Sequence, residues 1–341
     1  MKKILVTGDR GYIGSTLVSI LLKKKYEVVG FDTNYFTKRL GSENGLVYTQ
    51  VTKDVRGISE KDLDGVDAII HLAALSNDPM GSINPKLTEE INYKASIRLA
   101  KLAKKAGVKR FLFSSSCSIY GIAKSGVVNE DTKANPLTAY AKSKINTEKV
   151  LQTLADSDFC VGLLRNSTVY GYSPKFRDDL VVNNFCVHAV AAGIVRVMSD
   201  GSPWRPLIDV RDLSSIFTEF LKAPVRLFNG KIINVGFNDN NFQVKQVLDL
   251  VKDAVPGLEV IYTGEHGRDS RSYRVSFDLF ASLFPSIKQN WNLKKSVKNL
   301  VTVLIKSGFS KKDLEEKNYT RLAVLNNLIE RGKLDKNLYW K

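Results

Sequence analysis

The stretch ILVTGDRGYIGS, residues 4–15, constrains this chain more than any other. Gly8, Gly11 and Gly14 stand three residues apart, directly after an apolar run, and residues 13–25 have helical periodicity. Glycines at that spacing permit a tight strand-to-helix turn and let a pyrophosphate approach the backbone. The free N–H groups and positive dipole end of a helix N-terminus then favour the anion. Asp32 ends the next apolar run, eighteen residues past Gly14. A carboxylate there accepts hydrogen bonds from the ribose hydroxyls of adenosine and repels a 2′-phosphate, which favours NAD over NADP. Arg10, inside the turn, is the one residue that argues for a phosphate contact of its own.

Apolar strand-like runs at 3–7, 27–31, 46–51, 68–72, 110–114 and 160–164 alternate with helical patterns at 13–25, 86–106 and 139–154. Continuous apolar strands separated by helices imply a parallel sheet covered on both faces. The expected class is α/β, a Rossmann-like doubly wound parallel sheet with a smaller mixed α/β C-terminal portion that binds substrate. The expected division is a dinucleotide-binding domain over 1–166, a substrate-binding portion over 167–308 and a basic helical tail over 309–341. The run KIINV, 231–235, is expected to return to the first sheet, and 294–308 and 311–332 read as helical.

Composition narrows the function classes. Three widely spaced cysteines, Cys117, Cys160 and Cys186, make neither a disulfide framework nor a metal pattern, so no metal is expected and a reducing, cytoplasmic setting is. The N-terminal apolar run is too short for a signal peptide, and no stretch reaches the length of a membrane span. The net charge is +16, and residues 286–341 hold thirteen Lys or Arg against five Asp or Glu. No RNA-binding aromatic signature or helix-turn-helix pattern accompanies that charge, so a solvated helical surface is expected rather than nucleic-acid binding.

Two further motifs carry chemistry. In TAYAKSK, residues 138–144, Tyr140 and Lys144 are four apart and share one face of a helix. A phenol with an ordinary pKa of about 10 is a poor base near neutrality. A neighbouring ammonium and a positively charged nicotinamide favour the phenolate and make proton abstraction feasible. The other motif is SSSCSIYG, residues 114–121, at the end of an apolar run.

The turn TGDRGYIG, Asp54-Val55, HLAA (71–74), SSSCSIYG, YAKSK and WRPLIDVRDL (204–213) occur in the order seen in extended short-chain dehydrogenases/reductases. Over roughly residues 1–300 the chain resembles their NAD-dependent nucleotide-sugar epimerase/dehydratase branch. That resemblance implies Tyr140 as catalytic base, Lys144 as its partner and a nicotinamide-ribose ligand, and Ser116 as the hydroxyl that orients the sugar. It implies cofactor contacts from Gly8, Gly11, Tyr12, Ile13, Gly14, Asp32, Asp54, Val55, Leu72, Ala73, Ala74, Asn92 and Ser114. On the substrate side it implies Ser76, Asn77 and Asp78 after the fourth strand, Thr168 where the family usually has Asn, Asn184 within Asn183-Asn184-Phe185, and Arg205. The cluster Arg268, Asp269, Arg271 and Arg274 lies where the family reads the nucleotide. A homodimer through helices 86–106 and 139–154 is implied as well.

The residues after Ser116 bear on the reaction. The family's 4,6-dehydratases carry an Asp-Glu pair at the positions of Cys117 and Ser118, and 3,5-epimerising relatives usually place a cysteine at the position of Ser118. Cys117, one residue early, is expected to face away from the sugar, because successive strand residues face opposite sides. Hydride removal and return is what remains. The expected function is an NAD-dependent nucleotide-sugar epimerase, oxidising a hydroxyl at C4; a net 4-dehydrogenase or 4-keto-sugar reductase is the alternative. A non-catalytic NAD- or RNA-binding module would suit the basic tail but has no need for Ser116, Tyr140 and Lys144 together.

Overall fold

The computed structural model describes residues 1–41, 46–76, 84–264 and 271–341. Seven parallel strands form the main sheet: β1 (Lys3–Thr7), β2 (Glu27–Asp32), β3 (Thr49–Thr52), β4 (Ala68–His71), β5 (Arg110–Ser116), β6 (Cys160–Asn166) and β7 (Ile232–Val235). Their spatial order is β7-β6-β5-β4-β1-β2-β3. The helices that matter below are α1 (Tyr12–Lys23), α2 (Ala95–Lys105), α3 (Ala139–Leu154), α4 (Val181–Ala192), α5 (Val210–Lys222), α6 (Leu293–Lys306) and α7 (Arg321–Glu330).

Alternation along each strand divides the core between the two faces of the sheet. Leu5, Phe31, Ile69, Phe111 and Val161 pack on one side with Leu99 and Ala103 of α2 and Leu151 of α3. Ile4, Val6, Val28, Ile70 and Leu112 pack on the other with Leu17 and Leu21 of α1 and Ile216 and Phe220 of α5. Each of the buried Val, Leu, Ile and Phe side chains contributes about 1.5–3 kcal/mol relative to exposure. A third cluster, with Phe185 of α4 and Val297 and Leu300 of α6, holds the C-terminal half together.

The strand order reverses beside β1, whose neighbours are β2 and β4. In doubly wound sheets the crevice outside the strand ends at that point is where ligands bind. Here the glycine turn follows β1 and residues 72–76 follow β4, so both expected cofactor walls rise from the switch point.

The structure departs from the sequence reading in several places. The run 46–51 is instead β3, Thr49–Thr52, a largely exposed edge strand. The helical pattern from 86 is interrupted by a π turn over Glu89–Lys94 before α2 begins. Residues 311–332 are two helices, Lys311–Glu316 and α7, because Lys317 takes φ 52° in the left-handed region that ends helices. Leu325, Leu334 and Leu338 then join the same core cluster as Phe31 and Val55, so the tail is docked on the first sheet.

Candidate active site

A cleft of about 900 Å³ opens at the carboxyl ends of β1, β2, β4, β5 and β6. Its floor is the glycine turn. The Gly8 N–H donates to Phe31 O at 2.9 Å and the Gly11 N–H to Gly8 O at 3.0 Å. A Cβ on Gly14 would lie 2.0 Å from Gly8 O, and one on Gly8, at φ 74°, would lie 2.9 Å from Ala73 N. Gly11 caps α1 without a side-chain hydrogen bond, so the first-turn N–H groups are left to an anion. This backbone cradle, with Asp32 at the end of β2, fits a dinucleotide. Burial raises the Asp32 carboxyl above its ordinary range, and its Oδ1 accepts the Asn34 N–H at 2.6 Å.

Gly8, Gly11, Tyr12, Ile13, Gly14 and Asp32 all line the cleft, as do Asp54, Val55, Leu72, Ala73 and Ala74. Arg10 is elsewhere: its guanidinium donates to Thr52 Oγ1 at 2.9 Å and Gln50 Oε1 at 3.1 Å, side chains of the edge strand. Both Asp54 oxygens are held by Arg56, at 3.0 Å through Nε and 2.7 Å through Nη2.

Asn92 does not line the cleft, contrary to the expected cofactor contact. It is 1% exposed, and its amide accepts from Leu75 N at 2.8 Å and donates to Leu75 O at 3.0 Å. Its role is to hold the wall that carries Ala73 and Ala74. His71 fixes the same wall from below. Thr7 Oγ1 accepts the Leu72 and Ala73 N–H groups, so its own proton goes to His71 Nδ1, 2.6 Å away. The Nε2–H then donates to Ser96 Oγ at 2.7 Å, and the imidazole is neutral.

Burial, with the Lys144 charge adding, pulls the His71 pKa from 6.5 to about 3. A depressed folded-state value means the stabilisation is complete above pH 6.5 and is lost as pH falls toward 3. At about 1.4 kcal/mol per unit, roughly 2–3 kcal/mol disappears by pH ~4.5. Urea unfolding at both pH values checks this: His71→Gln should show a correspondingly smaller acid-induced loss than the unsubstituted protein.

The end of the cleft that carries the expected catalytic residues is built on β5 and α3. Thr138 caps α3, its Oγ1 accepting the Ala141 N–H at 3.1 Å, which starts the helix just ahead of Tyr140. Lys144, one turn on, is 3% exposed. Its Nζ donates to Ser114 O at 2.7 Å and lies 5.6 Å from the Tyr140 ring centroid. Burial lowers the Lys144 pKa to about 7, against the raising effect of the Glu148 carboxylate. Ser116 Oγ accepts the Ser118 N–H at 3.1 Å, which leaves its own proton to donate. Ser114, Ser116, Tyr140 and Lys144 line one cleft together.

β5 ends at Ser116, and residues 117–120 form a 3-10 turn, so strand alternation does not govern Cys117. It nevertheless faces inward: it is 1% exposed, its Sγ donates to Arg165 O at 3.1 Å, and burial pushes the thiol pKa well up. Ser118 lines the cleft instead, with a buried hydroxyl that has no partner among the described residues.

On the substrate side, Ser76, Thr168, Asn184, Arg205 and Arg271 also line the cleft. Arg205 Nη1 donates to Trp204 O at 3.0 Å and to Arg271 O, which ties the two arginine segments together. Arg274 stacks over Trp204 at 5.3 Å. Asn183 is consumed by structure, accepting from Gly171 N and donating to Arg177 O and the Tyr12 hydroxyl. Asn77, Asp78, His266, Arg268 and Asp269 lie outside the described residues.

The sequence reading missed Arg177 and Arg321. Arg177 lines the cleft, donates to Ser76 Oγ at 3.0 Å and is paired with Asp179. It comes from the loop KFRDD, whose only signal was an arginine two residues before an aspartate.

Similarity to known proteins identifies the family. Residues 4–236 match the model of the NAD dependent epimerase/dehydratase family. The chain is 31% identical over 265 residues to an uncharacterized UDP-glucose epimerase, YtcB, of Bacillus subtilis, covering 74% of this chain and 81% of that one. It is 28% identical to a putative UDP-glucose 4-epimerase of Methanocaldococcus jannaschii, over 87% and 97% of the two chains. The solved structure of MoeE5 with UDP-glucose and NAD superposes with a TM-score of 0.77 at 26% identity, over 89% of this chain and 99% of that one. This chain belongs to the NAD-dependent epimerase/dehydratase family and is an NAD-dependent enzyme of the extended short-chain dehydrogenase/reductase type.

Proposed function

We propose that the enzyme is a UDP-sugar 4-epimerase with Tyr140 as its acid/base. One observation carries the reading: Tyr140, Lys144, Ser116 and Ser118 share the catalytic end of the cleft, and neither position after Ser116 holds a carboxyl group. Such an end can move a proton and orient a hydroxyl, but those positions lack the acid and base that eliminate water. Held by the glycine turn of Gly8, Gly11 and Gly14 and by Asp32, bound NAD would supply the hydride acceptance and return that such a reaction needs. The Tyr140 oxygen takes the proton of the sugar hydroxyl, and the Lys144 ammonium favours the phenolate before that transfer. The Ser116 proton orients the sugar oxygen, and Tyr140 returns its proton once the keto-sugar has turned over.

Arg205 and Arg271 are the diphosphate-facing residues in this reading, since planar guanidinium matches phosphate geometry. The relatives named UDP-glucose 4-epimerase support UDP as the nucleotide. The reading includes a homodimer through α2 and α3, checked by analytical ultracentrifugation. It also places the enzyme in the cytoplasm, in keeping with three buried free cysteines. Among the described residues no helix is long and apolar enough to cross a membrane.

Incubation with UDP-glucose, UDP-galactose, UDP-N-acetylglucosamine and UDP-glucuronic acid, followed by proton NMR, tests the activity. The expected result is a mixture of C4 epimers from at least one of them without added reductant or oxidant. A product that has lost water or carbon dioxide, or stoichiometric release of NADH, would contradict it.

A further inference from the structure

The chain past residue 308 lies beyond the motifs that identify the family, yet it forms part of the cleft. The tail wraps the segments that follow β2 and β3. Tyr319 donates its hydroxyl to Arg39 O at 3.0 Å, the Tyr339 ring stacks on Arg56 at 3.7 Å, and Trp340 Nε1 donates to Thr33 O at 2.7 Å. Tyr35 donates its hydroxyl to Leu338 O. Arg321 and Leu322, the first residues of α7, line the cleft alongside Asp32 and Phe36.

Arg321 is 3% exposed, and its guanidinium lies 4.2 Å over the Phe36 ring. Nη2 donates to Lys175 O at 2.7 Å. Among the described residues it forms no ion pair; Asp32, Asp178 and Asp179 act on it from beyond contact distance, and Arg177 opposes it. Lys175, next to it, likewise rests on carbonyls, those of Phe36 and Thr37. Burial, with Arg177 adding, lowers the Arg321 pKa to about 9. Holding a buried guanidinium without a carboxylate partner is costly. A dinucleotide carries a diphosphate, and a planar cation lining its cleft is the group suited to that charge.

We propose that Arg321 is a cofactor-binding residue, and that residues 319–340 form a wall of the dinucleotide site which sets how tightly NAD is held. The proposal depends on NAD binding and not on which sugar reaction follows, so it stands or falls separately from the 4-epimerase reading.

The test measures NAD itself. Cofactor is stripped from the protein, and NAD affinity is determined by calorimetry for the unsubstituted chain, Arg321→Met, Arg321→Lys and Trp340→Ala. A hydrogen bond to a charged group contributes about 1.5–3 kcal/mol, so Arg321→Met should weaken NAD about 10- to 100-fold, with Arg321→Lys in between. Trp340→Ala, at a half-exposed side chain, should weaken NAD several-fold. Folded Arg321→Met with affinity within twofold of the parent overturns the proposal. If that variant does not fold, hydrogen exchange of the parent decides. NAD should slow exchange in residues 319–330, and unchanged exchange there overturns the proposal.

Discussion

Replacing Tyr140 by phenylalanine leaves the protein folded and NAD-bound but lowers turnover by about two to four orders of magnitude, the usual contribution of a positioned acid/base. The substitution removes a single oxygen from a half-buried ring at the start of α3. The Thr138 cap starts α3, and Ser143 Oγ donates to Tyr140 O at 2.7 Å. These contacts, and the Lys144 bond to Ser114 O, do not involve the phenol oxygen and remain in the variant. Steady-state kinetics on the sugar identified by NMR, with melting temperature and NAD content alongside, separate chemistry from folding. Turnover within tenfold of the parent would remove Tyr140 from the mechanism.

Glu148→Ala has the largest expected effect on stability, a loss of about 3–5 kcal/mol in urea unfolding, because it strands a buried guanidinium. Arg165 holds Glu148 through Nη2 at 2.8 Å and Nε at 3.1 Å, and its Nη1 donates to the Tyr120 hydroxyl at 3.0 Å. Tyr120 in turn donates to Asn234 Oδ1 at 2.8 Å, and Ser115 donates its hydroxyl to Glu148. The network therefore ties α3, β6, β7 and the end of β5 together directly behind Ser116 and Lys144. Removing both charges, as Glu148→Leu with Arg165→Met, should recover most of the loss, since no unpaired buried charge remains. A loss below about 1 kcal/mol for Glu148→Ala would mean that the pair is not what holds the strand ends.

Features that depend on local sequence were legible in advance. The glycine turn follows from three glycines at a spacing of three, two of which, Gly8 and Gly14, have no room for a Cβ, the main strands from continuous apolar runs, and the Tyr140–Lys144 pair from helical spacing. Asp32 could be placed because it ends a strand of readable length. Features set by tertiary packing were not legible. The 3-10 turn at 117–120 replaces an expected strand continuation, and the correct orientation of Cys117 was reached through the wrong geometry. Asn92 sits on an expected helix but faces the Leu75 backbone, a choice made by the adjoining wall and not by periodicity. Arg177 comes from a loop, and Arg321 from a basic tail in which nothing distinguishes it from the other lysines and arginines. Only the folded chain brings them beside Asp32 and Ser76.

The central claim is that hydride leaves and returns to the same sugar carbon within one active site. A UDP-hexose carrying deuterium at C4, taken as the epimer the enzyme converts, tests it in a single NMR and mass measurement with no cofactor added. The account predicts that the C4 epimer forms with its deuterium still at C4. Loss of the label from C4, into released NADH or into water, would contradict it.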